Sequence, residues 1–367
     1  MHGDGVSLKV TVKLVSHLAD RQDINMNTTS YFLQTLSSDI FNISNGSSSR
    51  NCQRDASVQR VVFPWMYTFL FFAGITLNIL SGLIFFRIPS TTIFIVYLKN
   101  ILIADLIMTL MLPFKILTDS GLGPWQLKAF VCRFSAVLFY ESMYISITLL
   151  GLISLDRFLK IVKPFGKKWL HNVSFAKVLS VLVWLFLFGL SLPNIILSNR
   201  TPTPLSVKKC ASLKNQLGLK WHEAVNYICQ FIFWTVLILM VLFYTIITKK
   251  IYDSFAKSKS RNVQKTKRTK CRVFIVVAVF FICFAPFHFT RVPYTLSQTG
   301  GVADCKRQNQ LFLAKESTLW LATTNICMDP LIYIFLCKPF RKMLLTFSTG
   351  REKSTTKEIT HSTQTTV

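Results

Sequence analysis

The chain has 367 residues, of which 51% are hydrophobic and 16% are charged, and its mean hydropathy is +0.42. A soluble globular domain has roughly a quarter of its residues charged, so the composition favours a protein with several membrane spans. The formal net charge is +26. Because the basic clusters lie beside apolar spans and carry no recognition motif, they are typical of cytoplasmic loops and argue against nucleic-acid binding.

The first 60 residues are polar and rich in serine, asparagine and threonine, which is typical of an unpacked segment. Three glycosylation sequons lie in this segment, at Asn27, Asn42 and Asn45. A sequon acts only on an exposed, secreted surface. We therefore expect residues 1–60 to form an extracellular, glycosylated arm.

Seven long apolar stretches follow, each near the roughly 20 residues that cross a bilayer. They predict an all-α membrane protein, a seven-transmembrane helix bundle over residues 61–337. The predicted spans are Val61–Arg87, Ile93–Thr118, Ala129–Val162, Phe175–Leu197, Trp221–Tyr252, Arg272–Leu296 and Leu311–Leu336. Prolines inside spans remove a backbone hydrogen bond and favour kinks, here at Pro113, Pro193, Pro286 and Pro330.

The distribution of lysine and arginine predicts the orientation of the spans. Basic residues are concentrated after spans three, five and seven, which places these segments in the cytoplasm. We therefore predict a multi-pass plasma-membrane protein with an extracellular N-terminus. A fourth sequon, at Asn199, then also lies outside.

Residues 338–367 are predicted to be cytoplasmic. Lys338–Phe347 is a short amphipathic stretch that predicts an eighth helix in contact with membrane lipid. Cys337 beside it is either a palmitoylation site or a lipid-facing thiol. The Ser/Thr-rich end, Ser348–Val367, is either a solvated end or a phosphorylation tail for a receptor kinase and arrestin.

Two basic side chains lie within the outer parts of spans, where a cation is costly. Arg291 lies in span six and Lys315 in span seven. Guanidinium and ammonium groups in such positions suit phosphate binding. A single basic residue near a span end is also typical of snorkelling to the interface, and Arg291 could instead pair with Glu316.

Aromatic residues accompany these cations. His288 and Tyr294 are spaced three residues on either side of Arg291, and Tyr140 and Tyr144 are four residues apart in span three. Such spacings place side chains on one helix face. We interpret the set as a pocket for a polyanion with a flat ring, whereas the alternative is that the tyrosines are ordinary core packing.

Nine cysteines are present, without a Cys-x-x-Cys or Cys/His spacing that would indicate zinc. Four of them lie on the outer side: Cys52 in the arm, Cys132 at the head of span three, Cys210 in the loop before span five and Cys305 in the loop before span seven. A bridge between Cys132 and Cys210 would hold the second outer loop over the pocket. Four cysteines allow three pairings, and their spacing alone leaves the choice open.

Several polar side chains lie deep inside spans, where unpartnered carboxylates are costly. They predict a shared water or cation site made of Asp105, Ser146, Asn325 and Asp329, with Asn78 nearby, and Na⁺ at Asp105 is the one cofactor that this set suggests. The alternative is a set of hydrogen bonds that only packs helices.

The chain resembles class A, rhodopsin-like G-protein-coupled receptors over residues 61–347. The motifs that carry the resemblance are Asn78, LKNILIAD ending at Asp105, Cys132, Asp156-Arg157-Phe158, Trp184, FFICFAP ending at Pro286, and DPLIY from Asp329 to Tyr333. Phe158 is a conservative departure from the common pattern. The other departures, which are Phe284, Asp329 and the absence of a proline in span five, are similar to the purinergic nucleotide receptors. FHFTRVPYTLSQT and KESTLW resemble the ADP-responsive subgroup that couples to inhibitory G proteins.

The resemblance implies ADP as agonist and lowering of adenylyl cyclase activity through an inhibitory heterotrimeric G protein. It implies these ligand contacts: Tyr140, Tyr144, Lys214, His222, Asn226, His288, Arg291, Tyr294, Gln298 and Lys315. It also implies the bridges Cys132–Cys210 and Cys52–Cys305. The implied coupling and switch residues are Asp156, Arg157, Tyr244, Pro286, Asp329 and Tyr333, with Arg157 released from Asp156 on activation.

Other functions remain as alternatives. A receptor for UDP-sugars or another anionic ligand fits nearly the same pocket pattern. A transporter of organic anions is a further class, although the chain has no internal repeat and an odd number of spans. We predict that the chain is not an enzyme, because it has no glycine-rich phosphate loop, nucleophile elbow or metal-ligand set.

Overall fold

The computed structural model describes residues 57–162, 172–257, 263–298 and 304–349. The helices in these ranges are α1 (Ser57–Phe86), α2 (Ile93–Asp119), α3 (Trp125–Val162), α4 (Val173–Ile196), α5 (Gln216–Lys257), α6 (Val263–Gln298), α7 (Cys305–Leu336) and α8 (Lys338–Thr349). Helices α1 to α7 are all long and apolar enough to cross a membrane. The predicted all-α, seven-helix fold is confirmed.

Local side-chain caps begin three of these helices. The Thr92 side chain accepts a hydrogen bond from the Ile95 backbone N–H at the start of α2, and Asn172 does the same for Ser174 at the start of α4. Asp304 caps α7 in this way through Lys306 N–H. Each cap satisfies a backbone donor that would otherwise have no partner.

The helices extend beyond the apolar stretches that predicted them. Helix α5 begins at Gln216 rather than Trp221, and α7 begins at Cys305 rather than Leu311. Hydropathy marks the part of a helix that lies in lipid, whereas polar residues continue the helix into water. The four predicted proline positions all lie inside helices, as do Pro64 and Pro293.

Two irregular turns were not predicted. Within α3, residues Val131–Ser135 form a π-helical turn around Cys132. Within α7, the α-helical run ends at Thr323 and resumes at Asn325, while the Thr324 hydroxyl donates to the Leu321 carbonyl at 2.6 Å. Both turns lie beside residues of the candidate sites described below, where irregular helix geometry re-aims side chains.

Helix α3 lies at the centre of the bundle and packs against α2, α4 and α5. Glycines permit two close approaches: a Cβ at Gly151 would lie 2.9 Å from Val236 of α5, and one at Gly74 would lie 2.7 Å from Ile326 of α7. By contrast, Trp65, a large apolar side chain on α1, is 74% exposed. An exposed apolar face on a membrane-length helix is a lipid-facing surface.

Helix α8 is amphipathic, as predicted. Phe340 and Met343 are buried, whereas Lys338 and Lys342 are exposed. Cys337, at the junction of α7 and α8, is only 1% exposed, so the lipid-facing alternative for this thiol is wrong. Burial raises its pKa to about 11, and a protonated, buried thiol is a poor nucleophile for acylation.

Candidate functional site

We call the end of the bundle that carries the Cys132–Cys210 bridge the disulfide end, and the opposite end the α8 end. At the disulfide end, Arg291 of α6 is 6% exposed and faces α3 and α5. Its Nε donates to the Asn226 side-chain oxygen at 3.0 Å, and its guanidinium lies 4.9 Å from the centre of the Tyr140 ring. Among the described residues, no acceptor bonds its two Nη groups and no carboxylate pairs with it. The predicted alternative, an Arg291–Glu316 pair, is wrong.

Lys315 of α7 lies in a second cluster at the same end. It is 7% exposed, pairs with the neighbouring Glu316, and lies 5.3 Å from the Tyr294 ring centre. Glu316 also accepts from Lys115 of α2 at 3.0 Å, and Lys115 pairs with Asp119 at 2.8 Å. Snorkelling to a solvated interface does not describe Lys315, because its ammonium group is enclosed by this network.

Tyr140 and Tyr294 connect the two clusters. The Tyr140 ring lies under Arg291, and its phenol is close enough to Lys315 to interact electrostatically. A hydrogen bond of 2.8 Å between the hydroxyls of Thr290 and Thr318 joins α6 to α7 nearby. The two predicted cations and these two predicted tyrosines are therefore brought together around one region of the bundle.

His288 and Tyr144 lie deeper, beneath this region. The His288 ring stacks on Phe233 at 3.7 Å between centroids and meets Tyr144 edge-on at 5.6 Å. Its Nδ1 lies 2.8 Å from the Phe284 carbonyl, whereas its buried Nε2 has no partner among the described residues. His288 is 1% exposed. The layer beneath the two cations is therefore a buried aromatic cluster in which the His288 Nε2 atom has no hydrogen-bond partner among the described residues.

The remaining predicted contacts are placed differently. Asn226 orients Arg291, and its own amide donates to the His222 carbonyl at 2.8 Å. Lys214, in the loop before α5, is buried, and its ammonium group donates to Asn194 at 3.1 Å. It thus points to the end of α4. The Gln298 side chain lies outside the described residues.

The surroundings of Lys214 change its protonation. Burial lowers the pKa of Lys214 from its usual 10.5 to about 8, because desolvation disfavours the charged amine. Three oxygen acceptors, from Asn194 and Ser198, lie within 3.4 Å of the nitrogen. Lys214 is therefore a buried amine whose pKa is much closer to neutral pH than that of an exposed lysine.

The disulfide predicted between Cys132 and Cys210 is confirmed, with a Cα–Cα distance of 5.2 Å. It fixes the loop that carries Lys214 to the start of α3. Cys305 is a disulfide-bonded cysteine, whereas its predicted partner Cys52 lies outside the described residues. Of the predicted sequons, Asn199 is exposed, and Asn27, Asn42 and Asn45 also lie outside the described residues.

The polar residues predicted in the middle of the spans also meet. Asp105 is fully buried, accepts a weak 3.5 Å hydrogen bond from Ser146, and interacts directly with the carboxyl group of Asp329. Asn325 donates to Asp329 at 2.8 Å. Asn78 joins this region by donating to the Ile326 carbonyl, also at 2.8 Å.

This polar cluster fits the predicted cation. The buried carboxyl groups of Asp105 and Asp329 interact with each other, and Asp105 also interacts with the Tyr333 hydroxyl, while the Asn325 side-chain oxygen has no hydrogen-bond partner among the described residues. Buried carboxylates without compensation are costly, and a set made only of oxygens suits a hard cation such as Na⁺.

The α8 end carries the predicted coupling residues. Asp156 pairs with Lys160 at 3.1 Å, and the Arg157 guanidinium lies 4.1 Å from the Phe94 ring centre. The expectation that Asp156 holds Arg157 directly is wrong for this structure. The i,i+4 spacing places Lys160 on the face of α3 that Asp156 occupies, whereas the next residue points elsewhere.

Two tyrosines complete this end. The hydroxyls of Tyr244 and Ser154 lie 3.3 Å apart and link α5 to α3. Tyr333 packs edge-on against Phe85 at 5.2 Å, and its buried hydroxyl interacts with the carboxyl group of Asp105. Four of the six predicted coupling and switch residues, Asp156, Arg157, Tyr244 and Tyr333, thus lie on α3, α5 and α7 at this end, whereas Asp329 belongs to the central polar cluster and Pro286 lies within α6.

Residues 77–333, more than half of the chain, match the family model described as 7 transmembrane receptor (rhodopsin family). The chain belongs to this receptor family. The predicted receptor class and multi-pass membrane location are confirmed. Because members of this family are receptors, the prediction that the chain is not an enzyme is also confirmed, and the transporter alternative is wrong.

Similar receptors extend over most of the chain. It is 61% identical to purinoceptor 13 of Homo sapiens over 317 residues, which cover 86% of this chain and 89% of the relative. It is 50% identical to purinoceptor 14 of Bos taurus over 294 residues, which cover 80% and 87% respectively. It is 46% identical to G-protein coupled receptor 87 of Mus musculus over 80% of this chain and 82% of the relative.

Sequence reasoning missed part of the receptor's polar network. Lys115 and Asp119 were not predicted as site residues, although each is a charged residue within span two or at its end, and a charge within a span is the same signal that indicated Arg291 and Lys315. The buried Glu141 of α3 was not predicted as a site residue either. One of its oxygens has no partner among the described residues, and the structure assigns it no role.

Proposed function

We propose that this receptor binds an extracellular nucleoside diphosphate, with ADP as the agonist, and couples to inhibitory G proteins that lower adenylyl cyclase activity. The observation that carries the proposal is Arg291, a buried guanidinium with a neutral amide partner and two unused Nη groups. A buried cation without a counterion favours an anionic ligand. The relatives named purinoceptors support a purine ligand.

The orientation of the receptor in the membrane is part of the same proposal. The segments after spans three, five and seven collect lysine and arginine, which supports a cytoplasmic position for them. The disulfide end then faces the exterior, where disulfides persist. Residues 1–60 would form the extracellular glycosylated arm, and Asn199, which is exposed, would also be extracellular.

The ligand's phosphates would be bound by Arg291 and Lys315, and its base would lie among the aromatic side chains of Tyr140, Tyr144 and His288. A planar guanidinium over an aromatic ring is already oriented for bidentate phosphate contact. The other proposed contacts, at the rim, are Lys214, His222, Asn226, Tyr294 and Gln298. Lys214 would have to leave its oxygen acceptors on Asn194 and Ser198 to reach a phosphate.

Activation would be a population shift. A ligand that contacts both α6 and α7 favours whichever bundle arrangement brings Arg291 and Lys315 together. Pro286, inside α6, is the point at which that helix would bend. At the α8 end, Arg157 would leave the Phe94 ring to meet the G protein, and Lys160 would continue to hold Asp156.

Two further partners belong to this proposal. Na⁺ would be held by Asp105, Ser146, Asn325 and Asp329, which supply it with oxygen ligands and a compensating charge. The Ser/Thr-rich end, Ser348–Val367, would be a substrate for a receptor kinase and then a contact for arrestin. Helix α8 would lie against membrane lipid.

The test is a guanine-nucleotide exchange assay on membranes that contain the receptor and an inhibitory G protein. ADP, ATP, UDP-glucose and a lysophospholipid are compared at matched concentrations. We expect ADP to stimulate exchange at the lowest concentration. Stimulation by UDP-glucose alone would replace ADP with a UDP-sugar, and stimulation by the lysophospholipid alone would overturn the nucleotide assignment.

A further inference from the structure

Four charged side chains form a continuous chain at the disulfide end, and the sequence did not predict it. In order they are Asp119, Lys115, Glu316 and Lys315, from α2 and α7. The Glu316 side chain is 4% exposed and the Lys115 side chain 17%. Two positive and two negative groups make this quartet neutral, so burial of its charges is compensated internally.

Glu316 is at the centre of the quartet because each of its oxygens has a different lysine partner. Oε1 accepts from Lys315, and Oε2 accepts from Lys115 at 3.0 Å. Lys315 is therefore neutralised by a carboxylate, whereas Arg291 is bound only by the Asn226 amide. The two cations of the proposed nucleotide site thus differ in whether they carry an internal counterion.

A phosphate group that reaches Lys315 would take the position of the Glu316 carboxylate, because both are oxygen anions that bind the same ammonium group. Two such anions in one low-dielectric site repel each other. Glu316 has an alternative partner in Lys115, which it already contacts. Rotation toward Lys115 would relieve the repulsion without leaving the carboxylate unpaired.

We propose that Glu316 is an internal counterion that holds Lys315 in the ligand-free receptor and is displaced onto Lys115 when a nucleotide phosphate binds. Glu316 and Lys115 are then positioning residues that set the affinity for phosphate without touching the nucleotide. A ligand must carry enough negative charge to compete with Glu316, which favours a diphosphate over a neutral nucleoside. This inference rests on the proposed function.

The quartet also joins α2 to α7, so the same displacement couples ligand charge to helix contacts. The Lys115–Glu316 contact links residues 201 positions apart in the sequence. Asp119 extends the link toward α1 through a 3.2 Å hydrogen bond from Gln59. The binding of phosphate to Lys315 would therefore strengthen the α2–α7 ion pair.

The experiment measures equilibrium binding of radiolabelled ADP to the full-length receptor and three variants: Glu316→Gln, Lys115→Met and the double variant. Glu316→Gln removes the competitor, and we expect ADP to bind about tenfold more tightly or better. Lys115→Met leaves Glu316 to Lys315 alone, and we expect several-fold weaker binding. In the Glu316→Gln background, Lys115→Met should then change the affinity very little, since the competitor is already gone.

Three results would overturn the inference. Weaker ADP binding by Glu316→Gln would mean that the carboxylate contacts the ligand or supports the fold. Unchanged binding by Glu316→Gln would mean that the carboxylate does not compete with phosphate. An equal loss from Lys115→Met in both backgrounds would mean that Lys115 contacts ADP directly.

Surface labelling of intact cells establishes that each variant reaches the membrane. If Glu316→Gln does not, Glu316→Asp replaces it, because the shorter side chain cannot contact both lysines; it should bind ADP more tightly, and weaker binding would overturn the inference. If the wild-type receptor fails to bind ADP, the proposed function fails, which is a different outcome from tight wild-type binding with unaltered variants.

Discussion

Replacing Arg291 by alanine is the perturbation that the site's geometry constrains most tightly. In the structure the guanidinium is already buried, oriented by Asn226 and stacked on Tyr140. Its desolvation and side-chain ordering are therefore completed before the ligand arrives, as in any preorganised site. The free energy gained from the phosphate should be close to that of the new hydrogen bonds themselves.

The magnitude follows from the two unused Nη groups. A hydrogen bond to a charged group contributes about 1.5–3 kcal/mol, so the loss of one or two such bonds costs roughly 3 kcal/mol. Since 1.4 kcal/mol corresponds to a factor of ten, the Arg291→Ala receptor should require roughly 100-fold more ADP. Arg291→Lys keeps the charge and loses the planar fork, so we expect a loss of about tenfold.

The assay is a dose–response curve for ADP-stimulated guanine-nucleotide exchange, normalised to receptor at the cell surface. Arg200→Ala is the matched control, because Arg200 is an exposed arginine at the same end of the bundle. Its curve should overlay that of the wild-type receptor. An unchanged curve for Arg291→Ala at normal surface density would refute the assignment of this residue to phosphate.

Two further predictions concern packing and charge. Gly151→Ala places a methyl group against Val236 and should lower the thermal unfolding midpoint of the detergent-solubilised receptor, at a cost of about 1 kcal/mol or more. The control is Gly189→Ala, where nothing lies within 4 Å, and it should leave the midpoint unchanged or raise it. Equal shifts of the midpoint in the two variants would contradict the close packing of Gly151 against Val236. Because the pKa of Lys214 falls from 10.5 unfolded to about 8 folded, the unfolded chain binds more protons between these values, so stability rises with pH across this window and is lost as pH falls toward 8. Lys214→Met should flatten this rise in the unfolding midpoint, and an identical pH profile for both receptors would show that the amine is not held as described.

The seven helices and the residues that share a face could be predicted from the sequence. Apolar length marks each span, and helical periodicity placed Tyr140 with Tyr144 and Arg291 with His288 on common faces. The polar residues inside spans, such as Asp105, were found because charge in lipid is costly and therefore conspicuous.

The partners across helices could not be predicted in this way. Periodicity identifies a face, whereas the rotation and tilt of each helix decide which neighbour that face meets. Glu316 was considered as a partner for Arg291, yet it pairs with Lys115 and Lys315. Asp156 was expected to restrain Arg157, yet it pairs with Lys160.

The most direct test of the nucleotide assignment is saturation binding of radiolabelled ADP to the purified wild-type and Arg291→Ala receptors. We predict saturable binding to the wild-type receptor that unlabelled ADP displaces, and binding about 100-fold weaker to the variant. Equal affinity of the two receptors for ADP, or no saturable binding to a folded wild-type receptor, would contradict it.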